Sequence, residues 1–464
     1  MTDRTDQYTG TDERWSASSL LFFSAYLLTI AHALLPHMVL DSLANGCMLA
    51  FIVIEYRRTE IIPKIMSALL LVVGLVAAST VGNAWHDLWE GLSRTRVFLV
   101  LFGAVAWLAV PAKESPSLRA IREMVLTQPP GRRFAYLGMA AHGLGLAFNL
   151  AGISLLSGMI NDKHPPRLRR RLGRAMAQGF ALVTCWSPFF VGAVVILGAW
   201  PEFKWSEIAP FGICLAVALW GLSWGMDKMT NPRPTSDAAR KAPSTVSGLA
   251  WLRTAGVLSV LFAAVIFLVE GQGISIPVAL GIVAPPLALI WRASFYSAPE
   301  RAKESTGFAY RTIAGLKNIR GEIVLFTAAN TMGLGLSDVI NPEQIAAFVS
   351  GLGYAPLVMM ILLCYSYLAL GALGLHPVIT VVLLSQFLTA EMLGVSPTVM
   401  ILTLMALWGM GTNISPTSAT VMYISRLTRE NNLTVAWRWN GPFSVAGGTV
   451  IAVLGTAVSY LGLV

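Results

Sequence analysis

Apolar runs of about 18–25 residues recur along this chain, separated by shorter polar segments. Each run is long enough to cross a roughly 30 Å hydrocarbon core as a helix. The pattern predicts an all-α polytopic membrane protein with about 11–13 membrane segments and no soluble domain of useful size. The candidate spans are 18–36, 38–56, 61–80, 95–112, 133–160, 173–198, 207–225, 249–270, 272–292, 319–340, 354–393, 396–424 and 440–463.

The run near the C-terminus is interrupted by the stretch GMGTNISPTSATV, Gly409 to Val421. Pro416 removes a backbone donor, and Gly409 and Gly411 are expected to loosen the helix before it. Small polar side chains surround this proline, although lipid cannot satisfy freed backbone groups. The segment is therefore expected to line a cavity that is enclosed by protein or filled with water.

The same order of features occurs in both halves of the chain. The blocks 96–125 and 320–349 align without a gap and share seven identities in thirty positions, including Arg and the triplet Val-Leu-Phe. Each block precedes a long apolar stretch with a central interruption, GLAFNLAGIS in the first half and GALGLHPVIT in the second. A span broken by Ser-Pro follows in each half, at Ser187-Pro188 and at Ser415-Pro416. This order predicts an internal repeat.

Composition and charge support the membrane assignment. The chain is 55% hydrophobic and 12% charged, whereas soluble domains are nearer 45–50% and 25%. The net charge of +9 resides in short loops, which indicates membrane topology and no nucleic-acid partner. The N-terminus has no signal-peptide pattern, so the first span is expected to be retained. The four cysteines lie in apolar segments without paired spacing and are interpreted as small buried hydrophobes.

The basic loops orient the spans with the N-terminus in the cytoplasm of a bacterial-type inner membrane. The expected organisation is a cytoplasmic tail at 1–17, a first membrane half at 18–225 with its repeat core at 95–225, a polar linker at 226–248, and a second membrane half at 249–464 with its repeat core at 319–463. Every basic loop falls inside only if 133–160 enters and leaves on the same side, as a re-entrant hairpin. The alternative is one tilted span with a compensating crossing elsewhere.

With this topology the span 95–112 runs inward and its partner 319–340 runs outward, so the two repeats are inverted. Paired discontinuous helices in inverted repeats are typical of secondary transporters, whose solute site lies where the interruptions meet. Half-helix N-termini attract an anionic group, and freed carbonyls with hydroxyl and amide oxygens suit a small hard cation such as sodium. The structural alternative is that each Ser-Pro pair only kinks a helix.

The order of span, re-entrant hairpin and broken helix, repeated in inverted form, resembles the ion transporter superfamily. That group includes divalent anion:sodium symporters, arsenite-pump and sodium-proton antiporter types, and the large membrane subunits of tripartite transporters. Such symporters carry Ser-Asn-Thr at both hairpin tips, whereas here the tips read Asn149 to Ser154 and His376 to Thr380. The closest match is Thr412 to Thr417 on the second broken helix. The resemblance implies elevator-type secondary transport, often by a homodimer and usually of an organic anion.

These patterns give ten candidate site residues and no expected catalytic residue. The predicted solute-binding residues are Asn149, Ser154, Ser187, His376, Thr380 and Ser415. A possible sodium site is assigned to Thr184, Asn413, Thr417 and Ser418, with no other cofactor. The expected partners are a small solute, the lipid bilayer and a second copy of the chain. Two other classes stay open, a membrane enzyme or flippase-like protein acting on a lipid-linked substrate, and a channel.

Single ionisable residues at membrane depth are weaker candidates. His376 is interpreted either as a group that binds an anion or a proton, or as a neutral helix cap. Asp338 is expected near a membrane interface, and His142 is expected to be packed within the first hairpin. His32, His37 and Asp41 are expected at the outer interface, around Pro36.

Overall fold

The computed structural model describes residues 15–126, 128, 130–161, 164–231 and 248–463. Within these ranges every regular element is helical, and nine helices are long and apolar enough to span a membrane. The protein is therefore an all-α polytopic membrane protein, which confirms the predicted fold class. Most of the predicted N-terminal tail and most of the predicted linker lie outside the described residues.

Twenty-one α-helices follow one another along the described part of the chain. They are α1 (Ala17–Leu34), α2 (Met38–Glu55), α3 (Ile61–Thr80), α4 (Ala84–Glu114), α5 (Pro116–Leu126), α6 (Pro130–Phe148), α7 (Leu150–Ser154), α8 (Pro166–Ala181), α9 (Val191–Ala199), α10 (Trp205–Thr230), α11 (Gly248–Gln272), α12 (Ile276–Ala293), α13 (Ala298–Gly315), α14 (Arg320–Val339), α15 (Pro342–Gly351), α16 (Pro356–Ala372), α17 (Pro377–Phe387), α18 (Ala390–Leu393), α19 (Pro397–Ile414), α20 (Ala419–Thr428) and α21 (Gly441–Tyr460).

Proline residues begin many of these helices because their missing N–H would have no partner in the first turn. Pro356, Pro377 and Pro397 each occupy the first position of a helix, in α16, α17 and α19. The side chain of Ser396 also accepts a hydrogen bond from the Val399 N–H, which caps α19. The long apolar stretch 354–393 is therefore divided into separate helices.

The predicted spans differ from the helices mainly where charged residues extend a helix beyond its apolar part. α3 has the predicted bounds, whereas α4 begins at Ala84 and not at residue 95. In that extension Arg94 pairs with Glu90 at 3.1 Å. Helices α5, α13 and α15 occupy segments that the sequence predicted as loops, because hydropathy alone does not detect charged, amphipathic helices.

One compact unit is formed by the residues up to Leu118 together with Trp251–Asn341. In it α14 packs between α3 and α4. A Cβ atom at Gly335 would lie 2.1 Å from the carbonyl oxygen of Gly74, so glycine is required where α3 and α14 meet. The Phe98 and Phe326 rings are 4.9 Å apart, while Asn330 donates to the Thr95 hydroxyl at 3.0 Å. These contacts show that α4 and α14 are antiparallel.

Ion pairs in this unit occur at both ends of α2. At its start Asp41 binds Arg96 of α4, and His32 lies 3.8 Å from the same carboxylate. At its end the fully buried Glu55 lies 3.4 Å from Arg320, which begins α14. The two arginines are the first residues of the two aligned blocks. Their positions at opposite ends of α2 agree with the antiparallel course of α4 and α14.

The second compact unit comprises Arg119–Ala250 and Pro342–Val464. It contains both predicted hairpins and both helices interrupted by Ser-Pro. Helices α16, α19 and α21 pack on one another, and α6 packs on α8. Helices α6 and α8 are in backbone contact at Gly179, where an added Cβ atom would lie 2.2 Å from the carbonyl oxygen of Gly138. All ten candidate site residues belong to this unit.

Candidate functional site

The first apolar stretch, 133–160, is not a continuous helix. Helix α6 ends at Phe148, and Asn149 adopts φ 51°, a left-handed conformation that is uncommon for a residue with a side chain. Helix α7 then folds back on α6. The close approach is seen at Gly152, where an added Cβ atom would lie 2.3 Å from the carbonyl oxygen of Leu144. The chain thus reverses direction at the predicted tip.

The first broken helix is joined to this tip by side-chain hydrogen bonds. Helix α8 tightens into a 3-10 turn at Leu182–Cys185 and ends before Pro188. The Ser187 hydroxyl donates to the carbonyl of Leu146 at 3.0 Å. In return, the Asn149 side-chain amide donates to the carbonyl of Phe189 at 3.0 Å. Two predicted site residues therefore stabilise the contact between hairpin and interruption.

The second half repeats this arrangement with other residues. Gly374, at φ 96°, lies between α16 and α17, and His376 caps α17 by accepting from the Val378 N–H at 3.3 Å. The Thr417 hydroxyl donates to the carbonyl of Gly374 at 2.9 Å. The Ser415 and Thr417 hydroxyls are 3.1 Å apart. The second interruption is thus also bonded to the tip of its own hairpin.

Pro416 leaves the carbonyl of Thr412 without its helical N–H partner. The Ser418 hydroxyl replaces that partner by donating to this carbonyl at 2.5 Å. The same hydroxyl accepts from the Val421 N–H at 3.1 Å and so begins α20. The half-helix after the interruption is therefore capped within the protein.

The two broken helices cross within this unit. A Cβ atom at Gly409 of α19 would lie 2.1 Å from the Ala181 carbonyl oxygen and 2.6 Å from the Thr184 hydroxyl. Beyond the crossing, α8 packs against α20 through Gly173 and Ile424. Helix α9 packs against α19 in the reciprocal contact. The first part of each broken helix thus lies beside the second part of the other.

Asn413 follows Gly409 by one helical turn, so its side chain leaves the same side of α19, toward the crossing. The residue is 0% exposed. Among the described residues, neither its amide nitrogen nor its carbonyl oxygen has a hydrogen-bond partner. Buried polar groups are almost always paired, so the isolated carboxamide makes this place a candidate binding site.

The remaining predicted site residues have local partners or are enclosed. The Ser154 hydroxyl donates to the Ala151 carbonyl at 2.6 Å, within its own short helix. The Thr184 hydroxyl donates to the Ala181 carbonyl at 2.8 Å. Thr380 is buried in α17, and the ring of His376 meets Trp408 edge to face. Contacts thus link Asn149 of the first hairpin with the first interruption, and Thr417 of the second interruption with the tip of the second hairpin. Ser154 bonds within its own helix.

His142 lies inside the first hairpin and is hydrogen-bonded at both ring nitrogens. Its Nδ1 is 3.3 Å from the carbonyl of Gly179, and its Nε2 accepts from the Trp186 indole at 3.1 Å. Asp338 belongs to the other unit, where it accepts from the side chain of Asn83 at 2.8 Å.

A second polar group lies next to the crossing and was not predicted. Gln178 of α8 accepts from the Ser223 hydroxyl at 2.7 Å and donates to Asn440 at 3.2 Å. Asn440 ends the π-helix Thr434–Asn440 and donates to the Val435 carbonyl at 3.1 Å. Polar residues within apolar helices were the signal by which the sequence could have revealed this group. The π-helix that ends at Asn440 could not be predicted, because α-helical periodicity does not reveal it.

The crossing is chemically suited to a small cation and to a hydrogen-bonding group of a solute. The candidate residues supply hydroxyl, amide and backbone oxygens, which are preferred ligands of hard cations. The part of the chain that the structure describes contains no group of three or more His, Cys, Asp or Glu able to hold a metal ion. Among the ten predicted residues, His376 alone has a side chain that can carry a full charge.

No protein-family model matches this sequence, and no curated protein matches it significantly. Among solved structures, the chain is similar to the YdaH transporter of Alcanivorax borkumensis, with 15% identity and a TM-score of 0.39 over 96% of this chain and 99% of that one. It is also similar to MtrF of Neisseria gonorrhoeae, reported to illuminate a class of antimetabolite efflux pumps, with 12% identity and a TM-score of 0.36 over 97% and 96%. Both scores are below 0.5, so neither similarity establishes a shared function.

Proposed function

We propose that this protein is a secondary active transporter that moves a small organic anion, coupled to a sodium or proton gradient. The observation that carries the proposal is the Asn413 carboxamide, which is enclosed at the crossing of two broken helices and lacks a partner among the described residues. Leaving such a group unsatisfied costs about 1–3 kcal/mol. A cation or solute that binds there would recover this free energy.

A carboxamide also has the chemistry that coupling requires. Its oxygen can coordinate a cation, and its NH₂ group can donate to an anionic solute. If Asn413 contacts both at once, each bound species stabilises the side-chain orientation that the other needs. The resulting coupling free energy is reciprocal, so the cation raises affinity for the solute and the solute raises affinity for the cation.

The packing of the broken helices supports alternating access. Their reciprocal contacts, α8 with α20 and α9 with α19, are those expected of two inverted repeats related by a pseudo-two-fold axis. Each interruption is bonded to its own hairpin tip, by Ser187 in the first half and by Thr417 in the second. We extend the proposal to an elevator-type movement and to a homodimer in a bacterial-type inner membrane. In this proposal the protein is not an enzyme.

Counterflow in proteoliposomes tests the proposal. Vesicles loaded with unlabelled organic anion should accumulate labelled anion from outside, and an inward sodium or proton gradient should increase the initial rate. Carriers show this exchange, whereas channels and enzymes do not. A channel would give the opposite result. It would show no counterflow with any of a panel of mono- and dicarboxylates, and its flux into empty vesicles would not saturate with concentration.

Labelling of introduced cysteines tests the inverted topology. In a variant without Cys47, Cys185, Cys214 and Cys364, we expect His164→Cys to resist an impermeant thiol reagent added to intact cells. Phe203→Cys should react, because the segment between α9 and α10 is predicted to face outward. Both positions should react after the cells are opened. Equal labelling of the two positions in intact cells would contradict the inverted arrangement.

A further inference from the structure

One face of α8 carries a row of polar side chains directed at α10. Arg171, Arg174 and Gln178 follow one another at helical spacing. Arg171 forms a bidentate ion pair with the fully buried Asp227, with nitrogen–oxygen distances of 2.6 and 3.0 Å. Gln178 is bonded to Ser223 on the same helix as Asp227. Arg174 lies between these two satisfied pairs.

Within the described residues, Arg174 has no side-chain partner comparable to those of its two neighbours. Only 7% of the residue is exposed, and its Nε atom has no hydrogen-bond partner within the described residues. Its side chain lies within the electrostatic influence of Asp227, but that carboxylate already binds Arg171. A buried guanidinium that must share a carboxylate with a second arginine is incompletely compensated for its lost hydration.

The surrounding charges increase this imbalance. Arg170 and Arg171 both act on Arg174, and Arg133 of α6 acts on Arg171. The cluster thus contains four arginines, Arg174 included, and Asp227 is the carboxylate that acts on Arg174. The cluster therefore retains an excess of positive charge beside a buried donor.

We propose that Arg174 binds a phosphate-type anion, with Arg133 and Arg171 supplying additional positive charge. A guanidinium presents a planar set of donors that suits phosphate oxygens, and a singly or doubly negative phosphate would offset the local excess. The phosphate can belong to the headgroup of an anionic phospholipid or to a free phosphate ion. The lipid source fits the place in the sequence, since the first half of α8 occupies a predicted cytoplasmic loop and basic pockets between helices bind lipid headgroups.

Thermal unfolding of the purified full-length protein in detergent tests this site. Phosphatidylglycerol should raise the unfolding temperature of the wild type relative to phosphatidylcholine. Arg167→Gln is the matched control, because it removes an equal charge from an exposed position at the start of the same helix, outside the arginine cluster, and it should keep the shift. Arg174→Gln should weaken binding by about tenfold or more, since a charge-assisted hydrogen bond is lost. Native mass spectrometry should count the bound phosphatidylglycerol directly.

Inorganic phosphate at constant ionic strength identifies the source of the anion. A shift with phosphatidylglycerol alone supports a headgroup site, and a shift with both supports a site for free phosphate. If Arg174→Gln does not fold, Arg174→Lys replaces it in the test. Arg174→Lys keeps the charge but not the planar donors, so it should bind the anion less tightly than the wild type. No shift in the wild type with either probe, or an equal shift in both Arg174 variants and the wild type, overturns the proposal.

Discussion

Replacement of Asn413 by alanine will weaken solute uptake, mainly by raising the cation concentration that half-saturates transport. The change removes the carboxamide oxygen from a fully buried position while leaving the backbone of α19 intact. A hydrogen bond or ligand contact to a charged species contributes about 1.5–3 kcal/mol, so we expect a shift of roughly tenfold or more. Initial uptake rates in proteoliposomes, measured across sodium concentrations and across pH, give the half-saturating value.

Three outcomes of that measurement have different meanings. A change confined to the solute concentration dependence would assign Asn413 to the solute and not to the cation. Unchanged transport would show that the interruption at Ser415-Pro416 only shapes the packing of the helix. A shift shared by Thr417→Val would indicate that the hydroxyl and the carboxamide act on the same ion.

Replacement of Asn413 should weaken transport but should not lower the unfolding temperature. Asn413→Leu removes a buried polar group that has no partner among the described residues, so unfolding in cation-free buffer should occur at an equal or higher temperature. Asn440→Leu is the matched control, because Asn440 is equally buried but is bonded to Gln178 and Val435. That variant should unfold at a lower temperature. Equal destabilisation by both changes would mean that Asn413 is paired in the cation-free protein.

The sequence predicted the apolar helices well, because lipid imposes length and composition on each span. α3 was predicted at its observed bounds, and α19 within one residue of its observed start. The charged helices α5 and α13 were missed, since their stability depends on amphipathic packing and not on hydropathy. Hydropathy also could not reveal that α4 continues through its charged first turns, where Glu90 and Arg94 pair.

Less of the candidate site was predictable, because its contacts join residues that are distant in sequence. The paired interruptions at Pro188 and Pro416 were visible as a repeat, but the hydrogen bond from Thr417 to Gly374 was not. The role of Gly409 was predicted wrongly. It was expected to loosen its helix, yet α19 continues without interruption to Ile414. Glycine is needed there because another backbone lies against it, which local sequence does not reveal.

Gly409→Ala should therefore destabilise the crossing of the broken helices, although alanine is the better helix former. The added Cβ atom would lie 2.1 Å from the Ala181 carbonyl oxygen, and a backbone atom cannot turn away as the end of a flexible side chain can. Overpacking of this kind typically costs about 1–3 kcal/mol, which exceeds the roughly 1 kcal/mol gained in helix propensity. We expect a lower unfolding temperature in detergent and loss of transport.

Gly221→Ala is the matched control, because Gly221 lies in helix α10 and no atom lies within 4 Å of its added Cβ. That variant should keep or raise the unfolding temperature, because alanine has the higher helix propensity and its Cβ atom meets no neighbour. Separation of α8 from α19 would also move the Thr184 hydroxyl away from the side of α19 that carries Asn413. Cation-dependent stabilisation should thus disappear together with transport in Gly409→Ala. If Gly409→Ala unfolds like Gly221→Ala and retains uptake, the two broken helices do not touch at this point in the membrane.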